Sequence, residues 1–337
     1  MNILVIGGNR FVGLLAAWRL VARGDRVTLL NRGSLPDPFG TRVERLRGDR
    51  TTDLERLLDG RRFDAVLDLA AYTGDDGRRA AEVLAGRVGH LVMVSTGQVY
   101  LVRDGAPRPA READYDGPLL PRPAADPDLS EWLYGVGKRD AEDALARAAA
   151  GGFPATRVRI PMVNGELDYH RRMEGYLFRL LDGGPVILPD GGETPMRHVS
   201  GGEAARFLVG ILGQERTFGG AWNLAQEEAP TLREIVERLR ALVGSTAPLV
   251  AVPAAELRAA GLEPQSVSPF SGRWMSFVDP SRARDELGFR HEPLDATLGK
   301  IVASFLAHVP ADPPAGYRNR AAELRLLGAR AVQGGRA

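Results

Sequence analysis

Asn2-Ile3-Leu4-Val5-Ile6-Gly7-Gly8-Asn9-Arg10-Phe11-Val12-Gly13 opens the chain, and the reading of this stretch decides the fold. From Asn2 to Ile6 the residues run apolar without alternation, as a strand does when both faces of its sheet are covered. Two glycines end the run, and Leu14, Ala17, Trp18 and Val21 then recur at helical spacing as far as Gly24. Glycines between a strand and a helix permit a tight turn and leave the helix N–H groups facing outward, where they suit a dinucleotide pyrophosphate. Gly7, Asn9, Arg10, Phe11, Val12 and Gly13 are therefore the first candidate cofactor contacts. Arg10 occupies the middle position of a G-x-x-G-x-x-G spacing and places a cation within reach of an anionic oxygen.

Working outward, strand patterns at 26–30, 42–46, 65–69, 90–94 and 155–160 alternate with helical patterns at 52–58, 78–84 and 129–149. Alternation at this spacing predicts an α/β fold, a doubly wound parallel sheet of Rossmann type with helices on both faces. Residues 103–128 are rich in Pro, Asp and Arg without periodicity and read as a long surface loop. Beyond Pro161 the pattern is irregular, with helices expected at 172–181, 203–212, 232–243, 280–287 and 294–306. The expected organisation is a dinucleotide-binding domain over 1–163, to which segments around 197–225 return. A smaller C-terminal α/β substrate lobe follows over 164–310, and 311–337, rich in Pro, Arg and Gly, reads as a frayed or surface-wrapped tail.

Composition narrows the classes of function. A net charge of +1 gives no electrostatic case for nucleic acid or an anionic membrane. The absence of cysteine excludes disulfides, thiolate nucleophiles and cysteine metal sites, and no metal centre is expected. No leader pattern precedes the first strand and no apolar run reaches membrane-spanning length, so a cytoplasmic protein is expected. Arginine outnumbers lysine so heavily that only Lys138 and Lys300 remain, and Lys138 lies four residues after Tyr134. A compact ammonium and a planar guanidinium are not interchangeable at a tight site, so a retained lysine is informative. By itself the pair also fits an ordinary helix face, since residues four apart are neighbours there.

In order, these segments resemble the extended short-chain dehydrogenase/reductases, the NAD(P)-dependent epimerase/dehydratase family, over nearly the whole chain. The resemblance runs through the opening turn, Gly48-Asp49-Arg50, Asp68-Leu69-Ala70-Ala71-Tyr72 and Val94-Ser95-Thr96-Gly97-Gln98-Val99-Tyr100. It continues with Tyr134 and Lys138, Arg159-Ile160-Pro161 to Gly165, Arg197-His198-Val199 to Ala205, Trp222-Asn223-Leu224 and Asp279 to Phe289. It implies that Tyr134 is a general acid/base, with Lys138 lowering its proton affinity and bonding the nicotinamide ribose. Thr96 would bond the reacting oxygen, and Ser95 would be structural. Asp49, Arg50, Leu69, Ala70, Ala71 and Pro161 join the implied cofactor contacts, and the substrate is a small molecule.

Departures from the family pattern sharpen the expectation. The second strand ends in Asn31-Arg32, where a ribose-binding carboxylate is usual, so NADP is expected over NAD. Gly97 and Gln98 stand where the related dehydratases carry two catalytic carboxylates, which disfavours dehydration. Met162 replaces an Asn that contacts nucleotide phosphate, Asn164 is the nearest amide, and Met196 stands where an Arg is expected, beside Arg197. Gln98, Met162, Asn164, Arg197 and Arg273 are the candidate substrate contacts, while His170-Arg171-Arg172 reads as a solvated basic face. The expected function is hydride transfer at a hydroxyl or keto carbon of a sugar-like or nucleotide-sugar molecule. Two alternatives stay open: a ketoreductase of a non-nucleotide metabolite, and a non-catalytic dinucleotide sensor or RNA-binding relative of the fold. Chloroplast stem-loop RNA-binding proteins have a similar G-G-x-R-F-x-G turn. A homodimer is also left open.

Overall fold

A computed structural model describes residues 1–334. The opening run forms β1 (Asn2–Ile6), followed by α1 (Phe11–Arg23), β2 (Arg26–Asn31), β3 (Val43–Arg47), α2 (Leu54–Leu58), β4 (Ala65–Asp68) and α3 (Gly74–Leu84). Next come β5 (Leu91–Thr96), α4 (Gln98–Leu101), α5 (Asp128–Ala150), β6 (Ala155–Ile160), β7 (Met162–Asn164), α6 (Arg172–Leu181) and β8 (Val186–Pro189). Then follow β9 (His198–Ser200), α7 (Gly201–Gly210), β10 (Ala221–Asn223), α8 (Leu232–Leu242), β11 (Leu249–Val252) and α9 (Ala254–Ala259). The chain ends with α10 (Pro264–Val267), α11 (Ser281–Leu287), α12 (Leu294–Ala307) and α13 (Arg320–Gly334).

Seven strands make one sheet in the order β10-β6-β5-β4-β1-β2-β3, every pairing parallel. Because successive side chains point to opposite faces, the apolar run of β1 feeds two cores. Ile3 and Val5 pack with Ala16 and Leu20 of α1 and Ala204 and Leu208 of α7. Leu4 and Ile6 pack with Leu54 and Leu58 of α2, Ala80 and Leu84 of α3, and Ala141 and Leu145 of α5. Strand order reverses between β1 and β4, and in open parallel sheets a ligand sits outside the carboxyl ends at that switch.

One unit comprises Met1–Val163, Val199–Glu227 and Ser276–His291; the other comprises Asn164–His198, Glu228–Met275 and the chain from Glu292. The segment Ser276–His291 therefore belongs with the sheet rather than with the lobe. The loop expected at 103–128 is pinned: Ala110 donates to Phe277 O at 2.9 Å and accepts from Asp279 N at 2.8 Å. The second unit is built on β8 and β11, paired in parallel, over a core that includes Ile187, Val252, Leu257 and Leu327. Residues 311–334 are not a frayed tail. Helix α13 carries a fully buried Glu323 whose carboxylate pairs with Arg179 of α6 at 2.5 Å, and Arg320 pairs with Asp182 at 2.7 Å. Pro and Gly around the helix masked its periodicity; residues 335–337 lie outside the described chain.

Candidate active site

The turn after β1 is shaped for close approach. Gly7 holds a φ of 88°, in the left-handed region that favours glycine, and a Cβ on Gly13 would stand 2.5 Å from Gly7 O. Helix α1 therefore seats directly on the turn, and its first turn carries no acidic residue that would repel an anion. Phe11 starts α1 with a φ of 39°, uncommon outside glycine, and its buried ring meets the first residue of α7, Gly201. Val12 is also buried, and Arg10 is exposed at the mouth of the turn. A dinucleotide pyrophosphate fits this cradle.

At the end of β2, Asn9 and Asn31 are tied together: Asn31 Nδ2 donates to Asn9 Oδ1 at 2.9 Å, and Asn9 Nδ2 donates to Leu35 O at 3.0 Å. Asn31 Oδ1 accepts from Gly33 N at 3.0 Å and from the Arg47 guanidinium. These amides brace the loop and leave Arg32 exposed beside it. The Asp49 carboxylate accepts from the Thr51 hydroxyl at 2.7 Å, and this bond first, with Arg32 further down, holds its pKa below the ordinary value. Arg50 departs from the sequence expectation. Its guanidinium is buried and turned inward onto Asp68 at 2.7 Å and onto Asp76, a structural ion cluster rather than a cofactor contact. Leu69 and Ala70 stand half-buried after β4 and Ala71 is buried, with Ala70 N held by Asp68 Oδ1 at 2.9 Å.

Helix α5 brings the proton-transfer candidates to the carboxyl edge of the sheet. The two glycines between Tyr134 and Lys138 explain how. A Cβ on Gly137 would stand 2.5 Å from Tyr72 O, after β4, and one on Gly135 would stand 2.5 Å from Val102 Cγ1, after α4. The helix is thus wedged between the segments that follow β4 and β5, with Tyr134 at its exposed surface. Lys138 is 3% exposed, and its Nζ donates to Val94 O at 3.0 Å. Burial pushes its pKa down to about 8, although the carboxylates of Asp68, Glu142 and Asp76 favour the charged form. A lysine so placed keeps its charge through neutral pH at a site that excludes water.

Thr96 ends β5, and its hydroxyl accepts from Gln98 N at 3.2 Å. Ser95 is committed elsewhere: its hydroxyl bonds buried Glu142, which holds Arg159 at 2.6 Å. That leaves Thr96 as the hydroxyl at the strand end. Gln98 is buried and donates to Glu131 Oε2 at 2.8 Å, so a carboxylate reaches this point from α5. Side chains longer than glycine are blocked at position 97, where a Cβ would stand 2.5 Å from Ser276 Oγ.

Thr96 pairs with Ile160 in the sheet register, so buried Pro161 and half-buried Met162 follow directly at the same edge. The remaining substrate candidates lie in the second unit. Asn164 is not an open contact: it is buried, and its Nδ2 lies 2.6 Å from His198 Nδ1. Arg197 is half-buried, and exposed Arg273 stacks over Trp274 at 4.7 Å. The basic face at 170–172 is engaged in ion pairs, Arg171 with Glu174 at 2.6 Å and Arg172 with Asp168 at 3.2 Å. The glycine wedge and the inward turn of Arg50 were not foreseen. The two-residue spacing of Gly135 and Gly137 inside a helix was their only trace in the chain.

Among the described residues no helix is long and apolar enough to cross a membrane, and no cluster of metal-ligating side chains forms. Residues 3–86 match the NAD dependent epimerase/dehydratase family. The chain is 29% identical over 286 residues to the 2'-dehydrokanamycin reductase of Streptomyces kanamyceticus, covering 83% of this chain and 77% of that one. It is 26% identical over 247 residues to the chloroplast stem-loop binding protein of 41 kDa b of Arabidopsis thaliana, covering 68% of this chain and 60% of that one. Solved structures share the fold. One is the dTDP-glucose 4,6-dehydratase of Bacillus anthracis in complex with NAD, with a TM-score of 0.70 at 16% identity over 92% of this chain and 97% of that one. With its motifs in order along one parallel sheet, the chain is similar to the NAD dependent epimerase/dehydratase family, whose model matches residues 3–86.

Proposed function

We propose that this protein moves hydride between a nicotinamide dinucleotide and a hydroxyl or keto carbon of a sugar-like small molecule. The observation that carries the reading is buried Lys138, four residues after exposed Tyr134, with its Nζ bonded to Val94 O of the strand that Thr96 ends. Gly7, Gly13 and the open first turn of α1 would hold the pyrophosphate, and Lys138 would meet the nicotinamide ribose. The bound cofactor supplies or accepts the hydride. In the reducing direction the Tyr134 phenol gives its proton to the substrate oxygen while the Thr96 hydroxyl bonds the same oxygen. The Lys138 charge stabilises the phenolate left behind. Oxidation runs the same proton path backwards.

Met162 at the edge, without a polar phosphate contact, and the relation to a ketoreductase favour a sugar-like substrate that lacks a nucleotide handle. Exposed Arg10 and Arg32, with no ribose-binding carboxylate after β2, favour NADP. The relation to a stem-loop binding protein keeps RNA as a second reading, and the net charge of +1 weighs against it. Incubating the protein with NADPH and a panel of keto sugars tests the proposal. Cofactor oxidation by the wild type and not by Tyr134→Phe is expected, and no turnover together with tight stem-loop RNA binding would overturn it.

A further inference from the structure

We propose that Tyr72 is a positioning residue of the proton-transfer pair, its ring covering the Lys138 ammonium, keeping water from it and fixing it beside Tyr134. The inference rests on the reading of Tyr134 and Lys138 as that pair. Lys138 Nζ lies 4.5 Å from the centroid of the Tyr72 ring, within cation–π range, and the same ring meets that of Tyr134 at 6.3 Å. The ammonium also bonds Val94 O at 3.0 Å. The ammonium therefore has both a strand carbonyl and an aromatic face as neighbours.

The backbone under Tyr72 is fixed from both directions. Its N–H donates to Asp76 Oδ2 at 2.8 Å, and its carbonyl faces Gly137, where a Cβ would stand only 2.5 Å away. The ring's position thus follows from α3 and α5 rather than from a loose loop. Tyr72 is 51% exposed while Lys138, whose ammonium it covers, is 3% exposed, so the ring is the outer wall of a dry site. The groups that face Lys138 are Asp68 at the end of β4, Asp76 of α3, Glu142 of α5, Arg50 before α2, and the Tyr72 ring, which itself meets that of Tyr134. Within this set Tyr72 is uncharged and lies on the solvent side. Its removal changes hydration and leaves the ion cluster in place.

The chain's two lysines allow a direct test that needs no substrate. Full-length protein carrying isotope-labelled lysine gives two side-chain signals, with Lys138 assigned by Lys138→Arg and exposed Lys300 as the internal reference. In the wild type and in Tyr72→Phe the Lys138 signal is expected to titrate near pH 8, as its dehydrated setting dictates. In Tyr72→Ala the midpoint is expected to rise by about one pH unit or more, towards the ordinary lysine value, with Lys300 unmoved. A midpoint unmoved or lowered in Tyr72→Ala, or moved as far in Tyr72→Phe, would overturn the proposal. Failure of the catalytic reading shows separately, as undiminished turnover by Tyr134→Phe with this titration unchanged.

Discussion

His90 and His198 are both buried and both held neutral, one in each unit, yet only the first is fully partnered. Burial pushes His90 down to about 4 and His198 down to about 3. His90 Nδ1 accepts from Gly213 N at 3.0 Å, and Nε2 lies 2.9 Å from Thr156 Oγ1, whose hydroxyl also meets Thr217 O at 2.7 Å. His198 Nδ1 meets Asn164, but its Nε2 and Asn164 Oδ1 have no partner among the described residues. Around His90 the sheet unit satisfies the buried ring with its own groups. Beside His198 the second unit leaves one donor and one acceptor, complementary to a hydroxyl of water or ligand.

The sharpest break between the two is in rate. Tyr134→Phe is expected to lower kcat by about 10²–10⁴-fold while cofactor affinity stays within a few-fold, because only the transferred proton is lost. Steady-state kinetics together with cofactor titration decide it.

Second in size is a change that leaves the edge chemistry alone. Arg179→Met leaves the buried Glu323 carboxylate only Arg320 at 3.4 Å, and breaking a buried pair of this kind costs about 3–5 kcal/mol. Denaturant unfolding should show that loss, with NADP binding by the folded protein retained. An effect below about 1 kcal/mol would mean that α13 is not held as described.

Acid treats the two histidines alike. The unfolded chain takes up protons below pH 6.5, the ordinary histidine value, whereas folded His90 resists until about 4 and His198 until about 3. Stability is therefore present above pH 6.5 and is lost progressively as pH falls towards 4, by on the order of 3 kcal/mol for His90. Urea unfolding at pH 7 and pH 4.5 measures it, and a His90→Asn variant should show a smaller difference between the two.

The smallest expected effect lies at the β2 end. Arg32→Ala should weaken NADP binding about tenfold and leave NAD binding unchanged, as loss of a charge-assisted phosphate contact requires. Equal losses for both cofactors would remove Arg32 from the 2′-phosphate.

Legibility followed the physics of burial. The strands of the first unit read directly because a sheet covered on both faces needs unbroken apolar runs, as at Asn2–Ile6 and Ala155–Ile160. Tyr134, Lys138 and Thr96 could be proposed from the chain alone because their order along it matches a known pattern. Arg50 was not: position after the third strand suggested the cofactor edge, and only the fold shows Asp68 and Asp76 waiting behind it. The second unit hid its plan for another reason. Its strands are short, such as Val186–Pro189, and α13 is stabilised by ion pairs to residues more than a hundred positions away, which no local periodicity reports. Tyr72 was visible only as the last letter of a motif, since its role depends on α5 pressing Gly137 against it.

The central claim, that the strand-end tyrosine and lysine support hydride transfer, is tested most directly with NADPH deuterated at the nicotinamide C4. Incubated with a panel of keto sugars, the wild-type protein is predicted to place deuterium on the reduced carbon of at least one product, and Tyr134→Phe to place none at a comparable rate. Deuterium delivered equally by both proteins, or by neither across the panel with both cofactors, would contradict the account.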